Sequence, residues 1–234
     1  FLAAPDLQTV MKIYLEFKTK TQLVAFEMLS DKALGYVLKN TGLTKPLLST
    51  SPYYIVVEVE KSSSEDENTI LEVYEKCTTE GWLTDGALAQ SDEQARVFWR
   101  FREDISESLA SFSPYKNDIS VAVSEVPPFL LDLEDVLKRA YPSWQVVWFG
   151  HIGDGNLHIN ILRPEGLSKE DFVRECRKMY LLIFESVKKY KGSISAEHGV
   201  GLTKKSFLTY TRSPEEVELM RGIKKVFDPD GLIN

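Results

Sequence analysis

The chain has 234 residues, 43% of them hydrophobic and 27% charged, which is enough to bury a sizeable core and is typical of a globular protein. Its formal net charge of −7, without a dense cluster of Lys and Arg, argues against a surface that binds nucleic acid. No segment approaches the roughly 18 uncharged apolar residues of a membrane span.

Apolar residues recur at helical spacing in several parts of the chain. A Ser followed three residues later by an acidic or amide residue, the pattern of an N-terminal cap, marks helix starts at Ser91, Ser168 and Ser213. The predicted helices cover 6–18, 31–39, 65–78, 92–110, 128–140, 169–190 and 214–227.

Runs of β-branched or alternating residues lie between the predicted helices. They predict strands at 23–29, 53–61, 84–89, 117–126, 145–150 and 157–162. Strands and helices therefore alternate, and most connections between them are short. This pattern predicts an α+β fold, ferredoxin-like, with an antiparallel or mixed sheet and helices packed on one face.

The two cysteines, Cys77 and Cys176, fall at apolar positions of predicted helices, so we expect buried reduced thiols rather than a disulfide or a metal pair. Reduced thiols favour a reducing, cytoplasmic compartment. The chain begins FLAAPDLQ, without an initiator Met or a secretory signal, and stops at FDPDGLIN directly after a predicted helix. We therefore expect an excised domain.

The stretch FGHIGDGNLHIN holds two of the chain's three histidines, His151 and His158, on either side of a glycine-rich turn. Residues 153–156, GDGN, are types that tolerate a positive φ, so they predict a hairpin turn between two strands. Taken alone, this composition is explained by the turn and requires no chemistry.

Strand alternation predicts the direction of these histidines. The apolar residues of LHINIL (157–162) share one face of the second strand, which leaves His158 and Asn160 together on the opposite face. The first strand of the hairpin then brings His151 near them.

Two imidazoles that converge across a hairpin can form half of a divalent metal site, and Glu197, in SISAEHGVG, can supply a carboxylate as third ligand. Such a set leaves one coordination position open for substrate, as catalytic zinc sites do. The alternative is that His151 and His158 are satisfied by local hydrogen bonds, because their spacing alone is weak evidence.

Arg102 lies in the apolar face of the predicted helix 92–110, one turn before Ser106. A cation in an apolar stripe needs an anion or access to solvent. Three explanations are open: a snorkelling side chain, a buried ion pair with a neighbouring Asp or Glu, and recognition of a substrate carboxylate by the guanidinium.

Together, HIGDGNLHIN and SAEHGVGLTKK resemble the paired signature of the C-terminal domain of FAD-linked oxidases of the vanillyl-alcohol-oxidase type. The branch that it resembles holds D-lactate dehydrogenases, the glycolate oxidase flavin subunit and D-2-hydroxyglutarate dehydrogenases. The resemblance covers the whole chain, 1–234, as one substrate and cap domain. It implies that a separate N-terminal domain of the same polypeptide holds most of the FAD, and nothing in this sequence resembles that domain.

The resemblance also implies roles for individual residues. His151, His158 and Glu197 match the ligands of the metal-dependent members, with zinc the expected ion, while Asn160 lies beside them in the substrate pocket and His198 is the catalytic base. Oxidising a 2-hydroxy acid requires the hydroxyl proton to leave, which a metal favours and a neutral imidazole accepts, while hydride passes to the flavin. A His198 that only caps its loop is the alternative.

For the substrate, the resemblance implies contacts from Arg102, Ser106 and Lys116. Two cations suit a dicarboxylate, which favours a substrate like D-2-hydroxyglutarate over D-lactate or glycolate. The match is incomplete, because Asn117 stands where that branch usually has an aromatic residue and Ala122 where it has a Pro. An exposed Lys116 without a role is the alternative.

The sequence thus predicts the substrate-binding and catalytic cap domain of an FAD-dependent D-2-hydroxy-acid dehydrogenase, inactive without its flavin domain. The glycolate oxidase flavin subunit is the alternative within this class. A stand-alone zinc hydrolase would lack a second acidic base next to the ligands, and a metal-stabilised binding module would leave Arg102 unexplained. The electron acceptor and the oligomeric state stay open.

Overall fold

The computed structural model describes residues 1–233. Within this range seven strands form one sheet, and every pair of neighbouring strands is antiparallel. The strands are β1 (Leu2–Ala4), β2 (Leu23–Ser30), β3 (Tyr53–Val59), β4 (Asp85–Gly86), β5 (Tyr115–Ser120), β6 (Val146–His151) and β7 (Asn156–Ile161). Their order across the sheet is β4-β1-β3-β2-β6-β7-β5. The expected α+β class with an antiparallel sheet is confirmed.

The α-helices of the described residues begin largely where the capping patterns predict. Ser91, Ser168 and Ser213 each accept the backbone N–H of the residue three positions later. None of the helices in residues 1–233 combines the length and apolar character needed to cross a membrane. The helices are α1 (Leu7–Lys20), α2 (Asp31–Thr41), α3 (Ser64–Thr79), α4 (Asp92–Glu103), α5 (Ile105–Ser108), α6 (Val126–Ala140), α7 (Lys169–Lys189), α8 (Gly201–Lys204) and α9 (Pro214–Phe227).

The elements that differ from the prediction are short or interrupted. The expected helix 92–110 is divided at Asp104 into α4 and α5, and the expected strand 117–126 ends at Ser120, where the backbone turns towards the β6–β7 connection. The expected strand 84–89 is reduced to the two residues of β4. Strand β1 was not predicted, because three residues are too few to show alternation.

Helices cover both faces of the sheet. On the first face α1, α3, α6 and α7 pack against alternate strand residues such as Met28, Ile55 and Ile159. On the second face α2, α4 and α5 pack against intervening residues such as Leu29 and Phe149. The sequence pattern predicts helices on one face of the sheet, and this second layer is an addition to that prediction. The layer forms because β2, β3 and β6 carry apolar residues on both sides.

The second helical layer stops at β6. In residues 1–233, neither β7 nor β5 contributes a side chain to the hydrophobic cluster of that layer. On this face the two strands carry polar residues instead, and their register places Asp118 opposite His158 and Lys116 opposite Asn160. The part of the sheet that the helices leave uncovered is therefore polar.

Cys77 and Cys176 are free and completely buried, as predicted. Burial raises the pKa of the Cys77 thiol to about 11 and that of Cys176 to about 12. Both side chains are therefore protonated at neutral pH and act as small apolar groups of the core.

A tight turn joins β6 to β7. It consists of one 3₁₀ turn, Ile152–Asp154, followed by Gly155 with a φ of 71°, and Asn156 already belongs to β7. A Cβ atom on Gly155 would lie 2.0 Å from the carbonyl oxygen of Val121, so this position excludes every side chain. The turn determines how β7 returns beside β6 and therefore which way its histidine points.

We expect Gly155→Ala to lower the free energy of unfolding by about 2–5 kcal/mol, because the left-handed backbone costs roughly 1–2 kcal/mol and the clash with Val121 adds roughly 1–3 kcal/mol. Gly166→Ala is the matched control, since Gly166 also has a positive φ, of 79°, but open space around it. Urea unfolding of both variants measures the difference. Equal losses would contradict the close approach at Gly155.

Candidate active site

A cavity of about 570 Å³ lies over the uncovered strands, beside the end of the second helical layer. Its wall contains seven of the residues singled out in the sequence, and the eighth, His151, lies in contact with two of them. The seven are Arg102, Ser106, Lys116, His158, Asn160, Glu197 and His198. Residues from α4, α5, β5, β7 and the loop before α8 therefore meet in one place.

His151, His158 and Glu197 form a compact group, of which His158 and Glu197 line this cavity. One nitrogen or oxygen atom from each lies within 4.8 Å of the others. The two imidazole rings have centroids 5.4 Å apart, and Nε2 of His151 is 3.3 Å from Oε1 of Glu197. Two imidazoles and a carboxylate at this separation are a donor set that zinc and similar divalent ions accept.

His151 is oriented by Glu27, the residue opposite it in the β2–β6 register. Nδ1 of His151 donates to Oε1 of Glu27 at 2.7 Å. This hydrogen bond is the main reason why the pKa of His151 is raised, and burial works against it. With Nδ1 held by a carboxylate, Nε2 is the nitrogen that faces Glu197, an arrangement common around metal-binding histidines.

His158 lies in a different environment. Its side chain is largely buried, and burial together with the positive charge of Arg102 lowers the pKa of His158 to about 4. The imidazole is therefore neutral near pH 7, which is the form that can bind a metal.

Asp118 anchors the loop that carries Glu197 and His198. Its Oδ2 accepts the backbone N–H of Glu197 at 2.9 Å and that of His198 at 3.0 Å. Burial alone would raise the pKa of Asp118, but these N–H donors and the nearby imidazoles outweigh burial and hold it below its usual value. The buried ammonium of Lys204 fastens the same loop, donating to the carbonyls of Asp118 and Ile194.

The His198 imidazole projects from the anchored loop into the cavity. Its side chain is 69% exposed, and its Nδ1 lies 3.5 Å from Oδ2 of Asp118. The loop is held by backbone N–H groups, and within residues 1–233 the ring donates no hydrogen bond that would cap it. The imidazole is therefore available to a bound molecule.

Arg102 forms the buried ion pair that the sequence analysis left open. Nε donates to Oε2 of Glu27 at 2.8 Å, and the two side chains are only 11% and 6% exposed. The guanidinium also lies over the ring of Phe149, 4.7 Å from its centroid. Glu27 occupies one edge of the guanidinium, and Arg102 also lines the cavity.

Two further predicted residues flank Arg102 in the cavity wall, Ser106 from α5 and Lys116 from β5. Lys116 is exposed, so a solvated side chain is compatible with its position. Asn160 is buried, and its Oδ1 has no hydrogen-bond partner within residues 1–233. A buried amide oxygen without a partner is unfavourable unless a ligand or water donates to it.

Sequence reasoning missed Glu27 and Asp118, the two carboxylates that position the site. Each is an acidic residue inside a strand, and its two neighbours along the chain are buried, in LVAFEMLS for β2 and YKNDIS for β5. A charge in such a strand needs a partner, and this is the signal that could have identified them. Their partners are distant in sequence and could not have been named.

The chain matches the family described as FAD linked oxidases, C-terminal domain, over residues 1–234. It is 45% identical over 233 residues to a D-2-hydroxyglutarate dehydrogenase of Stutzerimonas stutzeri, covering 100% of this chain and 50% of that protein. A D-2-hydroxyglutarate dehydrogenase of Xanthomonas citri pv. viticola is 47% identical over 233 residues, covering 100% and 49%. A mitochondrial D-2-hydroxyglutarate dehydrogenase of Arabidopsis thaliana is 36% identical over 239 residues, covering 100% and 41%. The chain spans about half the length of these relatives.

We expect Glu27→Ala to lower the free energy of unfolding by about 3–5 kcal/mol, because it leaves the buried guanidinium of Arg102 without its anion. Glu93→Ala is the control, since Glu93 pairs with Arg96 on the surface, where both side chains are mostly exposed. It should cost only a small fraction of that loss. Urea unfolding measures both, and similar values for the two variants would contradict the importance of the buried pair.

Proposed function

Since the chain belongs to the family of FAD linked oxidases, C-terminal domain, we propose that it is the substrate-binding and catalytic cap domain of a flavin-dependent dehydrogenase. The reaction is the oxidation of a D-2-hydroxy acid to the 2-oxo acid. The observation that carries this proposal is the convergence of His151, His158, Glu197, His198 and Arg102 on one cavity.

Each part of the cavity has a task in this reaction. Arg102 binds the carboxylate of the substrate, and Asn160 offers its unpartnered oxygen to a hydroxyl donor. His198 accepts the hydroxyl proton at its imidazole, while Asp118 keeps the loop in place through the backbone. FAD, held mainly by another domain, supplies the acceptor for the hydride that leaves Cα.

The donor set also fits a divalent metal, for which zinc is the first candidate. His151, through Nε2, His158 and Glu197 would hold the ion, since the tautomer of the first is set by Glu27 and the second is neutral near pH 7. When bound, the ion supplies a Lewis acid that lowers the pKa of the substrate hydroxyl.

The two cations of the cavity wall, Arg102 and Lys116, support a dicarboxylate such as D-2-hydroxyglutarate over D-lactate or glycolate. The names of the relatives agree with this choice. Ser106, which lies between Arg102 and Lys116 in sequence and lines the same cavity, is proposed to contact the same substrate through its hydroxyl.

Helix α9 supports the proposed partner, an N-terminal FAD-binding domain of the same polypeptide. Leu219, Ile223 and Val226 follow one side of this helix, and all three are exposed. None of its residues from Pro214 to Phe227 is buried. A contiguous exposed apolar stripe is typical of a surface that another domain covers, and the relatives are about twice as long as this chain.

A zinc hydrolase with the same ligands is less well supported. It would need a carboxylate free to take a proton from metal-bound water. Glu27 is occupied by His151 and Arg102, and Oδ2 of Asp118 by two backbone N–H groups. Both oxygens of Glu27 therefore have structural partners, whereas Asp118 uses only Oδ2 in this way and its Oδ1 is buried without a hydrogen-bond partner within residues 1–233.

We expect the 234-residue chain to bind about one equivalent of zinc, and the double variant His151→Ala/His158→Ala to retain almost none, because two of three ligands are lost. His198→Ala is the control and should retain the metal, since His198 is outside the proposed ligand set. Metal analysis after dialysis measures the content. Equal metal in the chain and the double variant would exclude this site.

In a polypeptide that also carries the flavin domain, we expect His198→Gln to lower kcat for D-2-hydroxyglutarate by roughly 10²–10⁴-fold, because the proton acceptor is lost. Arg102→Ala should raise KM and lower kcat/KM by a factor that corresponds to a loss of about 2–5 kcal/mol in transition-state stabilisation, since a charged partner of the substrate is removed. Steady-state kinetics with an artificial electron acceptor measures both. Lys188→Ala, on the exposed surface of α7, should leave both parameters unchanged.

We expect the 234-residue chain alone to purify as a colourless protein without flavin absorbance. In the same assay it should leave D-2-hydroxyglutarate, D-lactate and glycolate unoxidised. Tight FAD binding with turnover by this chain alone would make its assignment as a cap domain wrong.

A further inference from the structure

Arg102 holds two acceptors at once. Its Nε donates to Oε2 of Glu27 at 2.8 Å, and its Nη2 lies 3.3 Å from Nε2 of His151. The first contact pairs a buried carboxylate with its cation. The second is made to a member of the proposed metal set, and the charge of Glu27 does not require it.

The tautomer of His151 defines the second contact. Nδ1 lies 2.7 Å from Oε1 of Glu27 and donates its proton there. In the neutral ring Nε2 then has a single lone pair, which accepts from Nη2 of Arg102. A metal ion bound by His151 would use that same lone pair. One lone pair cannot serve both partners.

We propose that Arg102 and the divalent metal compete for Nε2 of His151, so that metal binding releases Nη2 of Arg102 to a substrate carboxylate in the cavity. The inference rests on the metal site and the carboxylate role of Arg102 proposed above. Metal and carboxylate binding then strengthen each other, because each replaces one partner of the same Arg102–His151 hydrogen bond.

The shape of the guanidinium is what makes this exchange possible. Arginine carries its donors on separate nitrogens of a planar fork, so Nε can stay on Glu27 while Nη2 changes its partner. The ring of Phe149, 4.7 Å from the guanidinium carbon, supports the plane from one side. A lysine has one ammonium centre, and an ammonium paired with Glu27 would leave Nε2 of His151 to the metal.

This difference gives the test. Zinc is titrated calorimetrically, against a competing chelator, into the metal-stripped 234-residue chain and into Arg102→Lys, which keeps the positive charge beside Glu27. We expect Arg102→Lys to bind zinc about fivefold more tightly, the effect of removing one competing hydrogen bond. Lys116→Met is the matched control, because it removes a cation of the same cavity that has no contact with His151, and it should change zinc affinity by less than about twofold.

A second arm repeats the titrations with saturating D-2-hydroxyglutarate. We expect the substrate to tighten zinc binding in the unmodified chain and to do so less in Arg102→Lys, where no guanidinium N–H is released. Thermal melts followed by circular dichroism confirm that each variant is folded. Arg102→Gln is a second variant of this position; its amide is uncharged but can still donate to Nε2, so we expect it to tighten zinc binding less than Arg102→Lys does.

The zinc titrations distinguish a failure of the competition at His151 from a failure of the metal site itself. Equal or weaker zinc binding by Arg102→Lys, when the unmodified chain binds zinc, overturns the competition and leaves the metal site standing. An unmodified chain that binds no zinc overturns both. A chain that binds zinc but not D-2-hydroxyglutarate removes the proposed substrate, while the first arm still decides whether Arg102 and the metal compete.

Discussion

The carboxylate of Glu27 is the constraint on which the geometry of the site depends. It is buried in β2 and accepts from Nδ1 of His151 on β6 and from Nε of Arg102 on α4. A carboxylate in such a place is unfavourable unless cations or donors surround it, and removal of one partner leaves the others unsatisfied. The position of α4 over the sheet is therefore tied to the orientation of the imidazole. Nε2 of His151 and Nη2 of Arg102 are the nitrogens that Glu27 does not contact, and they remain for other partners.

Asp118 positions the other side of the cavity by binding the backbone of a loop. It lies on the edge strand β5, and its two N–H contacts fix where Glu197 and His198 leave the sheet. These are different kinds of control. Glu27 orients the side chains of His151 and Arg102, whose backbones are held by a strand and a helix. Asp118 instead holds the backbone at His198, and the His198 side chain stays exposed. The first arrangement suits the binding roles proposed for His151 and Arg102, and the second suits the proton transfer proposed for His198.

The local half of this site could be predicted from the sequence, and the distant half could not. The face shared by His158 and Asn160 follows from alternation within one strand, and the turn before it from its glycines. The need of Arg102 for an anion was also visible, since it stands in an apolar stripe. Its partner, Glu27, is 75 residues away, and nothing local indicates that β2 lies beside β6. Strand order depends on the packing of the whole sheet, which one-dimensional patterns do not contain.

The same limit explains the second helical layer and, with it, the position of the cavity. Runs such as YYIVVEV are apolar on both sides, but periodicity alone does not say which helices cover the second side. The layer ends at β6, so Phe149 lies at the boundary with its ring centroid 5.0 Å from that of His158. The apolar side of this boundary helps to keep the imidazole dry and neutral, while the polar side leaves it within reach of a small molecule. If the helices extended one strand further, His158 would be inaccessible, and if they ended one strand earlier it would be hydrated. At the edge of the helical layer a neutral imidazole, a buried ion pair and an open cavity therefore lie next to one another.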